Sequence, residues 1–241
     1  MCRMAVSGER ILQLARSHIG EPYVFGSLAA KNNAEWRGPW DCAEFASWLV
    51  FQAAGVLYGC ESDSGDPGSA DAFTGYWARD AESLGVKISV EQATRTPGAA
   101  VLRSPQPGAV GHIVISDGRG GTVEAHSAKA GVIASTISQR RWDMGILVPG
   151  IEYSEGDAGP EVEEPRVVIY RLTEPHMVGP TVREIQQKLK NRGFTPGPLD
   201  GDFGPNTHAA VVSFQATRGL LIDGEVGPVT ARALGVKLPA A

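Results

Sequence analysis

The sequence predicts an α+β domain followed by a small all-α domain, and three observations carry that expectation. Apolar residues recur at helical spacing up to about residue 84, and short β-rich runs broken by turn residues take over up to about residue 148. Helices first and hairpin-linked strands after are the pattern of an α+β unit with an antiparallel sheet. After a strongly acidic stretch the helical spacing returns and continues to the end of the chain.

The elements follow in order. Ile11, Leu12, Leu14, Ala15, His18 and Ile19 form a helical stripe after Ser7, and Gly20 stops it. A second helix is expected from Asp41 or Cys42 through Phe45, Trp48, Leu49 and Ala53 to Gly55, and a third over 72–84, beyond a polar loop at 61–71. Strands are expected at Ala100–Leu102, Gly111–Ser116, Thr122–His126, Val132–Ser135 and Ile146–Val148. D-G-R-G-G at 117–121 is a hairpin signal, because glycine supplies the positive φ of tight turns. In the C-terminal part a helix over Thr181–Lys190 presents Val182, Ile185 and Leu189 on one stripe. Asp200-Gly201-Asp202-Phe203-Gly204-Pro205-Asn206-Thr207 then recurs 23 residues later as Asp223-Gly224-Glu225-Val226-Gly227-Pro228-Val229-Thr230. Each copy is a turn that feeds a helix opening on proline.

Composition narrows the function. The 241 residues suit one large or two smaller domains, and the 42% hydrophobic fraction fills a substantial core. Three cysteines are too few for a disulfide framework and leave at least one thiol to explain, with Cys2 and Cys60 either bridged or inert. A net charge of -5 without a long basic run argues against a nucleic-acid partner, and no apolar segment is long enough to span a membrane. Met1–Ala15 carries Glu9 and Arg10 where a secretory leader would have its apolar run. The acids concentrate at Glu152, Glu155, Asp157, Glu161, Glu163, Glu164 and Glu174, which reads as a solvated linker. The expected division is 1–155 for the first domain, 156–178 for an acidic linker with a short strand at Val167–Tyr170, and 179–241 for the second.

Cys42 falls where an amphipathic helix opens, and the unpaired N–H groups and dipole of a helix start favour a thiolate. His112 stands near the start of a strand and His126 on the strand across the hairpin, so one imidazole can serve as base and the other can orient it. From these residues alone, a buried helix cysteine and two ordinary strand histidines fit equally well. Trp36 and Trp40 flank Cys42, placed either to stack on a ligand or to pin the loop. Glu124 shares a strand face with His126 and is expected at the rim, and His18 is expected at a packing or solvent-edge position. A zinc site is not expected, because Cys42, His112 and His126 have no fourth ligand, and no cofactor is implied.

Several motifs taken together resemble the NlpC-type superfamily of bacterial cell-wall cysteine peptidases, which have a papain-like core. Gly20, Pro22, Tyr23 and Gly26 match its G-x-P-Y-x-x-G segment, and Asp41-Cys42-Ala43 with Phe45 match its nucleophile motif. Pro107, Gly108, Val110 and His112 match its Pro-Gly strand motif, and His126, Ser127 and Ala128 match its late strand motif in altered order. The resemblance implies Cys42 as nucleophile, His112 as general base and acid, His126 as the orienting third residue, and Tyr23 lining the cleft near Asp41. Ala43 and Ala109 depart from the usual Ser and acid, and the stretches 26–41 and 61–80 are longer than the common form.

The C-terminal part resembles the peptidoglycan-binding domain of cell-wall hydrolases through V-R-E-I-Q-Q-K-L, D-G-D-F-G-P-N-T and V-V-S-F-Q. That resemblance places a groove at Asp200, Gly201, Asp202, Phe203 and Gln215 and makes peptidoglycan the partner. The two resemblances together imply a peptidoglycan hydrolase cutting the D-glutamyl to diamino acid bond of the stem peptide through a thioacyl intermediate. An N-acetylmuramoyl-L-alanine amidase is the alternative of the same class. A catalytically inactive wall-binding protein and an acyl transferase are alternatives of other classes. The site of action implied is the bacterial wall, reached by lysis, by a dedicated secretion route, or with a leader that this sequence lacks.

Overall fold

The computed structural model describes residues 6–84, 86–106, 110–154 and 167–240, and it divides into two compact units.

The first unit opens with α1 (Gly8–Ser17), capped by Ser7, whose hydroxyl accepts from the Arg10 N–H. α2 (Cys42–Ala54) is apolar on nearly every side, as a helix in the middle of a core must be, and every residue from Ala43 to Val50 is buried. Gly55 ends it in the left-handed region. α3 (Thr74–Ser83) buries Trp77, whose indole lies over Gly59; a Cβ there would come within 2.1 Å of the ring. β1 (Lys87–Ile88) and α4 (Val90–Thr94) were not anticipated, because elements of 2 and 5 residues are too short to show a period.

β2 (Ala100–Arg103), β3 (His112–Ser116), β4 (Gly121–Ser127), β5 (Gly131–Thr136) and β6 (Met144–Ile146) complete a six-stranded sheet of order β1-β6-β2-β3-β4-β5. Its pairings are antiparallel, as expected. At the β3–β4 turn the Asp117 carboxylate accepts the N–H groups of Arg119 and Gly121, both at 2.8 Å, and Gly118 and Gly120 take positive φ. Alternation sorts the faces: Ala100, Leu102, Ile113, Ile115, Val123 and Ala125 pack in one core with α1 and α2. Val101 and Val114 pack on the other face with Ala93 of α4, and the same parity sends His112, Glu124 and His126 to that side.

The second unit holds α5 (Pro180–Lys190), α6 (Pro205–Arg218) and α7 (Pro228–Leu234), each opening on a proline after Gly179, Gly204 or Gly227. Val182, Ile185, Leu189, Phe203, Val211, Phe214 and Leu234 form its core. Tyr170 and Val168 join that core, and Tyr170 bridges Val226, so the second unit's ordered packing reaches upstream of residue 179. The sequence repeat has a structural counterpart. Gln186 of α5 donates to Asp200 Oδ1, the Asp202 carbonyl and Thr207 Oγ1, and accepts from Gly201 N. Gln215 of α6 does the same for Asp223, the Glu225 carbonyl, Thr230 and Gly224 N. A buried glutamine therefore fastens each Asp-Gly turn to the preceding helix. Among the described residues, no helix is long and apolar enough to cross a membrane.

Candidate active site

Cys42 is the first residue of α2, as its position after Asp41 predicted. Asp41 is the N-cap: its Oδ1 accepts from Glu44 N at 2.8 Å and its Oδ2 from Gly26 N at 3.2 Å, so the segment carrying Tyr23 is tied to the helix start. Tyr23 bridges Trp40 and lies close enough to Cys42 and Asp41 for their charges, after burial, to raise its pKa. The Cys42 sulfur lies against the backbone N–H of Ile113, one residue beyond His112, and within the field of Arg103. Arg103 is the register partner of His112 on β2.

The helix-start argument predicts an easily formed thiolate, and the structure reverses it. The half-buried Cys42 thiol is pushed up to about 12, first by desolvation and then by the Asp41 carboxylate, against smaller help from Ile113 N–H and Arg103. Burial also raises Asp41 to about 7, against the opposing hydrogen bond from Glu44 N–H. The thiol is therefore protonated at rest and needs a base at the moment it attacks.

His112 is 1% exposed, and its Nε2 lies 2.5 Å from Glu124 Oε2. Glu124 is itself buried, and its Oε1 accepts from Thr122 Oγ1 at 2.9 Å. This corrects the rim placement expected for Glu124: a carboxylate buried between a histidine and a hydroxyl orients the ring. The Nε2 contact of His112 is thus made by Glu124, a residue not expected to touch the ring. His126 lies with its ring centre 6.2 Å from that of His112, and its Nδ1 is 3.1 Å from Ser127 Oγ. The β3–β4 register pairs Ile115 with Val123 and Ser116 with Thr122. Extended along the strands it sets His126 opposite His112 and Glu124 on the diagonal, and the long glutamate side chain covers that diagonal.

The tryptophans separate. Trp40 is fully buried, donates to Glu21 Oε2 at 2.6 Å and meets Phe45 and Trp48 edge-on at 5.2 Å, so it is a core residue and no ligand platform. Trp36 is half-buried and packs against the same core, 6.4 Å from Trp40. His18 packs edge-on against Trp40 and Trp48 and pairs with Glu21 at 2.9 Å, the packing role expected of it. Cys60 is a buried thiol without a disulfide, and Cys2 lies outside the described residues. So do Pro107, Gly108 and Ala109; the Pro-Gly pair that leads into a described strand is Pro97-Gly98, before β2.

In the second unit the expected groove loses most of its members to packing. Phe203 is a core residue, Gly201 is buried, and Gln215 is fully buried holding the Asp223-Gly224 turn. Asp200 is exposed, with its carboxyl held low by Gln186 and Asp202 N–H, and Asp202 Oδ1 pairs with His176 Nδ1 at 2.8 Å. Nothing in the sequence warns of the clamp, since Gln186 and Gln215 precede their turns by unequal distances, 14 and 8 residues.

Fold and site together define an α+β unit with a cysteine at a helix start, its sulfur against the Ile113 N–H next to a strand-borne histidine–glutamate pair, joined to a three-helix unit. Residues 178–234 match a family described as a putative peptidoglycan binding domain. The N-acetylmuramoyl-L-alanine amidase CwlM of Mycobacterium tuberculosis is 31% identical over 123 residues, covering 50% of this chain and 30% of that protein. A spore cortex-lytic enzyme of Bacillus cereus is 43% identical over 56 residues, covering 23% of this chain and 22% of that protein. The chain thus spans less than a third of the length of either relative. Among solved structures, the NlpC/p60 domain of the peptidoglycan hydrolase SagA is 25% identical with a TM-score of 0.42, covering 59% of this chain and 99% of that one. The peptidoglycan hydrolase RipB of Mycobacterium tuberculosis is 20% identical with a TM-score of 0.43, covering 61% and 65%.

Proposed function

We propose that the first unit is a cysteine hydrolase that cuts an amide bond of the peptidoglycan stem peptide, between D-glutamate and the following diamino acid, and that the second unit holds it to the wall. The observation that carries the chemistry is the 2.5 Å His112–Glu124 contact on the strand whose Ile113 N–H meets the Cys42 sulfur. With Nε2 turned to Glu124, Nδ1 of His112 takes the thiol proton as the sulfur attacks the carbonyl carbon. The imidazolium returns that proton to the leaving amine as the C–N bond breaks and a thioester forms. Water, deprotonated by His112, then releases the acid and restores the thiol. Glu124 stabilises the imidazolium in both halves, and Tyr23 lines the cleft. The substrate class is supported by the match of residues 178–234 to a peptidoglycan-binding family. The name of the mycobacterial relative favours a second reading, N-acetylmuramoyl-L-alanine amidase activity by the same residues.

Mass spectrometry of soluble products from purified wall decides between the two bonds: a new amino terminus on the diamino acid supports the first, and a free L-alanine amino terminus the second. Cys42→Ala is expected to abolish both products while wall binding persists. Turnover without Cys42 would refute the mechanism.

A further inference from the structure

The two long stretches at 26–41 and 61–80 meet at one buried ion pair. Lys31 and Glu44 are each 0% exposed, with Nζ 2.5 Å from Oε2. Glu44 is the third residue of α2, two beyond Cys42. Its Oε2 also accepts from Ala29 N at 2.8 Å, and its Oε1 from Ala72 N at 2.7 Å. Lys31 in turn donates from Nζ to the Ala70 carbonyl and from its backbone to Pro67 O at 2.8 Å, while Gln52 of α2 donates to the Lys31 carbonyl at 2.5 Å. One carboxylate on the first turn of the nucleophile's helix thus gathers donors from two loops far apart in sequence.

Stability alone does not call for this arrangement. Two charges taken fully out of water return little net free energy compared with a well-packed apolar pair. An apolar pair, however, cannot accept two backbone N–H groups and an ammonium at once, so what the carboxylate supplies is geometry. The first loop is fastened to α2 at two successive points, Gly26 to Asp41 and Ala29 to Glu44. Between Tyr23 and those anchors stand Val24, Phe25 and Leu28, apolar side chains left largely exposed beside the helix start.

We propose that Lys31 and Glu44 are a positioning pair that holds the Tyr23–Leu28 wall against the start of α2 and so sets how the peptide substrate is bound beside Cys42. This rests on the reading of Cys42 as nucleophile. A peptide held by that wall meets apolar side chains at Val24, Phe25 and Leu28, with the scissile carbonyl directed to the sulfur.

Glu44→Gln tests it, because an amide offers one acceptor oxygen and a donor, and cannot accept from both Ala29 and Ala72. With a soluble stem peptide as substrate, KM is expected to rise by about 10-fold or more while kcat changes by less than about 3-fold, the pattern of lost substrate binding. Hydrogen exchange at the Ala29 and Ala72 amides is expected to accelerate in the same protein, which reads the pair without any activity. A folded Glu44→Gln protein with a lower melting temperature but unchanged KM and unchanged exchange would reduce the pair to a structural role and overturn the proposal. Gln52→Leu removes only the bond to the Lys31 carbonyl and decides by the same criteria, with a smaller rise of about 2- to 3-fold, if Glu44→Gln does not fold. Hydrolysis surviving Cys42→Ala strikes the nucleophile assignment; loss of hydrolysis in Cys42→Ala together with an unaltered KM in Glu44→Gln strikes the pair.

Discussion

Replacing Glu124 with glutamine removes the charge beside His112 while keeping the shape of the side chain. The amide oxygen can still accept from His112 Nε2–H, where the carboxylate now sits at 2.5 Å, and the amide nitrogen can face Thr122 Oγ1, which is free to rotate from donor to acceptor. Side-chain shape and the contacts to the His112 ring and Thr122 are retained. What disappears is the stabilisation of the imidazolium that forms when His112 takes the thiol proton. A hydrogen bond to a charged group is worth about 1.5–3 kcal/mol. At about 1.36 kcal/mol per factor of ten, kcat should fall about 10- to 150-fold. The dependence on a protonated, buried thiol makes the effect large, since Cys42 held at about 12 cannot attack as a preformed thiolate. Release of amine from a soluble stem peptide at saturating concentration measures the rate, and near-ultraviolet circular dichroism on the same samples checks the fold. His126→Asn should stay within about 3-fold of the parent, because Glu124 supplies the carboxylate contact to His112 Nε2. A Glu124→Gln protein as active as the parent, beside a His126→Asn protein reduced about 100-fold, would overturn the assignment of roles.

Three other perturbations follow from the same geometry. Asp41→Asn keeps a capping side chain but removes the charge that raises the Cys42 thiol, so alkylation of Cys42 by iodoacetamide, followed by peptide mass mapping, should show a lower midpoint pH. Asp41 itself is raised from 3.8 to about 7, so the folded state binds its proton more tightly than the unfolded chain; that stability is present below about pH 4 and lost as pH rises through about 7, and urea titrations of Asp41→Asn should show a flatter profile over this window. Gln215→Leu removes the hydrogen bonds that hold the Asp223-Gly224 turn, among them those to Gly224 N and the Glu225 carbonyl at about 1–3 kcal/mol each, and should unfold the C-terminal unit at markedly lower urea without touching hydrolysis of soluble peptide. Ending the chain after Ser154 keeps Tyr153, whose hydroxyl accepts from Val148 N and whose ring packs on the first core, and leaves Val168 and Tyr170 with the unit they pack in; soluble-peptide turnover should persist while digestion of sedimentable wall slows, and equal loss on both substrates would exclude a targeting role for the removed part.

The sequence by itself determined whatever depends on neighbours along the chain. Period 3.6 and capping residues placed α1 and α2 and put Cys42 at a helix start, because Asp41 and Glu44 are three apart and a cap is a local contact. Alternation and D-G-R-G-G placed the β3–β4 hairpin, since turn chemistry is written within five residues. The repeated Asp-Gly turns and Gly-Pro helix starts marked the C-terminal unit in the same way. Tertiary structure alone decided the rest. Parity shows that Glu124 and His126 share a face, but only strand stagger and side-chain reach select the glutamate for His112 Nε2. Helix position argued for an acidic thiol, yet the density around Cys42 and the charge of Asp41 outweigh the helix start, because desolvation depends on everything packed nearby. Local sequence allows Trp40 as either a ligand platform or a loop anchor, and its packing against Phe45 and Trp48 decides for the core. The Lys31–Glu44 pair and the Gln215 clamp on Asp223 join residues 13 and 8 apart across bends of the chain, and no periodicity records where a buried side chain finds its partners.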